Sequence, residues 1–313
     1  MLSNFLVCLN AVIPLIAYLV IGFVVRRTGL LTGPEVRRFN HMIFIVFFPA
    51  LMFDSIYSAD IEQALDLRLI GYACGFILCA YFLTVFFVTR VEKDAKSRGA
   101  MIQAIYRSNF VLMGLPIALN IFGKGNVSVT AMLIMFIVPL YNVLAVFTLE
   151  YFRGGRTDYK DMVLKIAQNP IILGAIAGIL ALLLGIKVPA SIEKVISGMS
   201  DATTPIAMIL LGASFNITSV KRDKRNLVIC VIGRLVVLPA IGLTIAALLG
   251  FRGVSLVTLI AMMAAPTAVS SFTMAESMDS NGELAGNAVI FSTPLSCITL
   301  FLWLFLFKSL GFF

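Results

Sequence analysis

Residues Tyr106 to Gly123 read YRSNFVLMGLPIALNIFG. The run is apolar enough for a membrane helix, yet an Arg and an Asn stand near its start and Gly114-Leu115-Pro116 in its middle. A proline in a helix interior removes a donor and crowds the preceding turn, at a cost of roughly 3 kcal/mol. Lipid supplies no water to repair that loss, so irregular backbone survives there only when it is buried in protein or lines a cavity. The stretch therefore predicts a discontinuous helix at a functional place, with the break at Pro116.

Working outward, the whole chain fits a membrane setting. It has 313 residues, 60% hydrophobic and 13% charged, where a soluble domain carries about 25% charge. Ten apolar runs of membrane-spanning length lie at about 5–25, 39–57, 69–89, 101–122, 127–149, 169–186, 196–215, 226–250, 254–277 and 284–307. No Lys or Arg precedes the first run, so it reads as a span and not as a signal peptide. The net charge of +8 is a topology signal and not a nucleic-acid footprint. Sixteen Lys and Arg fall in loops one, three, five and seven, and six in the even loops and C-terminus. The positive-inside rule then predicts a multi-pass protein of the cytoplasmic membrane with both termini outside.

Prolines inside the spans recur. Pro14, Pro49, Pro116 and Pro139 match Pro170, Pro205, Pro266 and Pro294 at offsets of 156, 156, 150 and 155. Gly22 and Gly29 recur as Gly178 and Gly185, again 156 apart. The expected fold is all-α: ten transmembrane helices as a 5+5 inverted repeat, residues 1–150 and 169–313, joined by a cytoplasmic loop at 151–168. An odd number of spans inverts the second repeat, the plan of secondary transporters with a midplane site. Helices 4 and 9, broken at Pro116 and Pro266, would bring together there the N-termini of their second halves. Such ends carry unpaired N–H donors and partial positive charge, which suit an anion's oxygens.

Polar groups cluster near these breaks. Asn109 lies two helical turns before Pro116, and Thr267, Ser270 and Ser271 follow Pro266 at i, i+3 and i+4. Arg107 and Arg234 are the two cations inside spans. Arg107 is close enough to the cytoplasmic face to snorkel, or alternatively grips a second carboxylate of a dicarboxylate; Arg234, near mid-bilayer, needs carbonyls, an acid or a watery cavity. The five cysteines and His41 lack metal-ligand spacing and are expected to be apolar-segment and interfacial residues. Gly71/Gly75 and Gly174/Gly178 have the G-x-x-x-G spacing of close helix packing. No acid, base, nucleophile or metal-ligand constellation of an enzyme is present in the spans, and no cofactor is expected.

The motif SNFVLMGLPI resembles the asparagine-to-proline motif of the auxin efflux carrier family, which includes the plant PIN proteins and short bacterial permeases. RRFNHMIFIVFFPALMF, NPIILGAIAGIL, MSDATTPIAMILLGASF, IGRLVVLPAIG and NAVIFSTPLS extend that resemblance over nearly the whole chain. It implies an elevator-like secondary transporter of a small mono- or dicarboxylate. Helices 1, 2, 6 and 7 would form the scaffold and homodimer interface, and helices 3–5 and 8–10 the moving transport domain. The carboxylate would sit at the crossing of helices 4 and 9, which marks Asn109, Pro116 and Pro266, with Arg234 and Asp201 also at positions that match the family. Only about eighteen residues join the halves here, unlike the long loop of plant members, and Ser108-Asn109 replaces Pro-Asn. The short loop fits the bacterial type, some of whose members are described as permeases for malate or malonate, so the resemblance implies a small organic anion and not auxin. The alternatives are a sodium-coupled symporter of the bile-acid transporter type and, in a different class, a non-transporting membrane sensor or scaffold.

Overall fold

The computed structural model describes residues 2–58, 66–122, 127–153 and 164–313, with side chains from residue 12 onward except at 115, 127 and 128. Most of the connecting loop, together with Lys124, Arg156, Lys160 and the Cys8 side chain, lies outside the described residues. Helix dominates. Helix α1 spans Leu2–Arg27, α2 Gly33–Met42, α3 Phe48–Tyr57, α4 Leu67–Val91, α5 Ala95–Tyr106, α6 Phe110–Phe122 and α7 Val127–Tyr151. In the second half α8 spans Pro170–Leu183, α9 Ala190–Ser214, α10 Ile217–Arg222, α11 Lys224–Ile232, α12 Leu238–Leu248, α13 Gly253–Ala264, α14 Ser270–Ser277 and α15 Gly282–Ser309. Among the described residues, six continuous helices are long and apolar enough to cross a membrane, and α6, α8 and α13 are shorter apolar helices.

Local chemistry sets many of the boundaries. The side chains of Asp66, Asp94, Asn169, Asn216 and Asn281 each accept a first-turn N–H of the helix they precede, an N-cap worth about 1 kcal/mol. Gly29 and Gly185 follow α1 and α8 with φ of +79° and +62°, the left-handed conformation that glycine adopts without a Cβ penalty. These two glycines are the pair found 156 residues apart in the sequence. Pro49 and Pro239 each follow a five-residue π turn, at Ile43–Phe47 and Gly233–Val237. The Phe48 and Leu238 N–H groups reach five residues back, to Ile43 and Gly233. That shift accommodates a proline that cannot donate, so α2–α3 and α11–α12 each run through as one rod.

Small residues bring two helix pairs into close contact. A Cβ on Gly22 would meet the Ile209 carbonyl at 1.8 Å, and one on Gly212 the Leu19 carbonyl at 2.0 Å, which fixes α1 on α9. Gly174 and Gly178 do the same for α8 on α3, against Pro49 and Phe53. The other glycine pair behaves differently: a Cβ on Gly71 or Gly75 would meet nothing within 4 Å, so that spacing packs no described neighbour.

The loops sort by parity. Loop nine, without a basic residue of its own, is acidic and meets its basic neighbours: Arg153 pairs with Asp279 at 3.1 Å, Arg222 with Glu283 at 2.8 Å and Arg37 with Glu276 at 3.5 Å. The Ser280 hydroxyl donates to the Lys96 carbonyl at 2.7 Å. Separately, Tyr57 donates to Ile186 O, Arg68 to Leu249 O, and the Gly253 N–H to Phe312 O. Among the described residues, those of the odd loops thus gather together, and those bordering loops two, six and eight meet one another and the C-terminus.

The expected break at Pro116 is corrected. Helix α6 passes through Pro116 without interruption, and the chain leaves the helix earlier, at Arg107–Asn109. The second break stands where the sequence put it, with Pro266 between Ala264 and Ser270. The Pro116–Pro266 offset is 150, against 155 or 156 for the other pairs.

Candidate functional site

The two breaks meet. Ser108 and Thr267 form an isolated antiparallel bridge. The Asn109 N–H donates to the Pro266 carbonyl at 2.8 Å, and the Ala268 N–H to the Arg107 carbonyl at 3.4 Å. Each unwound segment therefore supplies hydrogen-bond partners that lipid could not. The Thr267 hydroxyl donates to Ala104 O at 2.9 Å and its N–H to Ser292 Oγ at 3.1 Å, which fastens the crossing to α5 and α15.

Four helix ends converge here. At the C-terminal ends of α5 and α13, orphan carbonyls are taken by one side chain. Arg234, 2% exposed, donates to Ile105 O at 3.2 Å, Tyr106 O at 2.9 Å, Met262 O at 3.3 Å and Ala265 O at 3.1 Å, and also to Met263 O. Five carbonyls match the five N–H donors of a guanidinium. Its charge also opposes the negative ends of two helix dipoles. Arg234 is thus engaged behind the crossing and does not line the pocket in front of it.

That pocket lies at the N-terminal ends of α6 and α14. Arg107, Asn109, Phe110, Tyr141, Asn142 and Ser270 line one side, and Phe48, Met52, Ser55 and Thr204 from α3 and α9 the other. The pocket's volume is about 80 Å³, room for roughly three waters or a small organic anion. The Asn109 Nδ2 is buried without a hydrogen-bond partner among the described residues. Arg107, 3% exposed, donates to Asn142 Oδ1 at 2.5 Å and to the Met274 sulfur at 2.9 Å. The snorkelling alternative for Arg107 is overturned, because an extended backbone turns its guanidinium into the protein. None of the ion pairs among the described residues includes either buried arginine.

Of the residues singled out in the sequence, Arg107, Asn109 and Ser270 come together around the pocket. Pro266 and Thr267 build the crossing beneath it. Gly114 and Pro116 lie further along α6 and outside the lining; Pro116 is seven residues past Asn109, roughly 10 Å along a helix. Gly114 is a packing residue, since a Cβ there would meet the Phe110 ring at 2.7 Å. The helical spacing of Thr267, Ser270 and Ser271 does not apply, because Thr267 precedes α14. Asp201 is exposed on α9, beside Glu193 and Lys194 in a different hollow. The sequence reading missed Asn142 and Tyr141. An asparagine within the apolar run VPLYNVLAV was the available signal, since a buried amide needs several partners.

Comparison with known proteins gives concordant results. A family model described as "Membrane transport protein" matches residues 7–304. An uncharacterized transporter of Methanocaldococcus jannaschii is 21% identical over 303 residues, 94% of this chain and 97% of that one. One of Methanothermobacter thermautotrophicus is 23% identical over 296 residues, 94% and 96% of the two chains. A Rhizobium meliloti protein named "Putative malonate transporter" is 22% identical over 305 residues, 95% of each. These are transporters and not enzymes. With a family match along almost its full length, the chain belongs to the membrane transport proteins of the auxin efflux carrier family.

Proposed function

We propose that the protein is a secondary transporter that carries a small carboxylate across the cytoplasmic membrane by an elevator-like movement. The observation that carries this reading is the free Asn109 amide at the N-terminal end of α6, within a pocket at the crossing. A carboxylate there would accept from the amide and face the positive end of the helix dipole.

Two bodies adjoin at this pocket, in support of the elevator. Helices α1–α3, α8 and α9 form the scaffold; α4–α7 and α10–α15 form the moving body. Their boundary is mostly apolar, with Leu15, Ala207, Met208 and Leu211 against Val269, Phe272 and Val289. The polar links across it include Asn40 to Thr273 O at 3.2 Å, Asn142 to the Met52 sulfur at 3.0 Å and the exposed Arg37–Glu276 pair. A mostly apolar seam with few polar links suits sliding. In this reading ten crossings arise from the inverted repeat, the basic loop end is cytoplasmic, and the scaffold face pairs two copies. An inside-negative potential of 100 mV then favours export by about 2.3 kcal/mol per net negative charge moved.

Purified Asn109→Ala protein should remain folded and bind malonate, used as the probe, about 1–3 kcal/mol more weakly than wild type. Unchanged affinity would remove Asn109 from the site.

One observation favours a sodium-coupled symporter as a second reading. Asn40 Oδ1, Gln103 Oε1, Ser271 Oγ and Thr273 Oγ1 are buried without hydrogen-bond partners among the described residues. Both amides lie against α14, through Thr273 O and Ser271 O. Oxygen ligands suit hard cations. Proteoliposome flux that is the same with sodium or potassium gradients would exclude this reading.

A further inference from the structure

We infer that Arg107 is a specificity-determining residue that binds a second negative charge, so that the preferred substrate is a dicarboxylate. This rests on the reading of the crossing as a carboxylate site.

The first point is geometric. On a continuous helix, residues two apart point about 200° away from one another. Arg107 has φ −91° and ψ 118°, and in extended chain residues i and i+2 face the same side about 7 Å apart. The break therefore turns Arg107 and Asn109 toward one pocket, and both line it. Two polar anchors at that separation, one on a long side chain, can span the two carboxylates of a short diacid.

The second point is charge. A carboxylate held by Asn109 and the α6 N-terminus leaves the Arg107 charge uncompensated, since none of the ion pairs among the described residues includes Arg107. Arg234 meets the same condition with five main-chain carbonyls. Arg107 has an amide oxygen and a thioether sulfur. The sulfur is a weak acceptor, readily exchanged for a carboxylate oxygen, and a guanidinium fork matches a carboxylate in two parallel bonds.

The third point is positioning. Asn142 Nδ2 donates to Val138 O at 2.8 Å and to the Met52 sulfur at 3.0 Å. That fixes the amide with its oxygen toward Arg107 Nη2. The guanidinium is thereby oriented by a neutral group, which leaves its charge for a ligand.

Malonate and its half-amide malonamate, which match in heavy-atom number and differ by one charge, test this with purified full-length protein at about pH 8. Wild type should prefer malonate by about tenfold or more. Arg107→Gln should lose that preference through weaker malonate binding, with malonamate affinity held within about twofold; Arg107→Lys should keep part of it. A wild type that binds both equally overturns the inference and leaves the carboxylate site standing. A preference that survives in Arg107→Gln, or an equal loss for both ligands in the folded variant, also overturns it. If Arg107→Gln does not fold, a preference in Arg107→Lys as large as in wild type overturns it too. Binding of neither ligand to wild type would sink the carboxylate reading as well.

Discussion

Arg107 and Arg234 are two buried guanidinium groups beside the same pair of helix breaks, and they are satisfied in different ways. Burial of each carries the same kind of cost, about 2.5–3.5 kcal/mol at mid-bilayer unless it is compensated. Arg234 is compensated within the protein: its five donors meet the carbonyls of two helix ends. Arg107 is held by Asn142 and Met274 and faces a pocket. The lesson is that depth in the membrane does not reveal what a buried charge does. What separates a fully engaged cation from a pocket-facing one is the set of acceptors around it.

The strongest way to break this contrast is Arg234→Met, which keeps much of the volume and removes every donor. Each orphaned carbonyl costs about 1–3 kcal/mol, so the crossing should come apart. The expected outcome is a protein that fails to fold, or one that has lost several kcal/mol of stability and all transport. Arg234→Lys should rescue little, because three ammonium donors cannot satisfy five carbonyls. Thermal unfolding in detergent checks this, and a stable Arg234→Met protein with selective loss of one substrate would reverse the two roles.

A smaller effect is expected from Asn142→Leu. It removes the acceptor that orients Arg107 while it preserves side-chain volume. Malonate binding should weaken by about 0.5–1.5 kcal/mol, and much less in an Arg107→Gln background, since the two act through one contact. Full additivity in that double-mutant cycle would show that Asn142 does not work through Arg107.

The smallest effect is expected at the residue that looked most consequential. Helix α6 is continuous through Pro116, so Pro116→Ala should leave malonate affinity within about twofold, as a change outside the pocket should. A loss of binding as large as that of Asn109→Ala would restore the proline as the architect of the break.

Much of the architecture was legible without coordinates. Apolar runs and low charge give a membrane protein, because the bilayer fixes span length and excludes charge. Repeated glycines do more. Gly29 and Gly185 both end helices with positive φ, and Gly22 and Gly178 both sit where helices approach closely. Each needs a missing Cβ for a local reason that sequence spacing exposes. Asn109 and Arg107 were also legible as candidates, since polar groups in apolar runs demand partners.

The tertiary structure alone decided where the first helix breaks. Arg107-Ser108-Asn109 contains no residue that forbids helix. Those residues are extended because the Pro266 carbonyl and the Ala268 N–H, far along the chain, offer hydrogen bonds there, and because Arg234 takes the carbonyls left open behind them. A proline announces the bond it cannot make, and so reads as a break in any sequence. A break sustained by partners some 125 to 160 residues away leaves no local mark. For the same reason the surroundings of the two arginines could not be separated in advance: a charge is written in the sequence, but its acceptors are assembled only when distant segments of the chain come together.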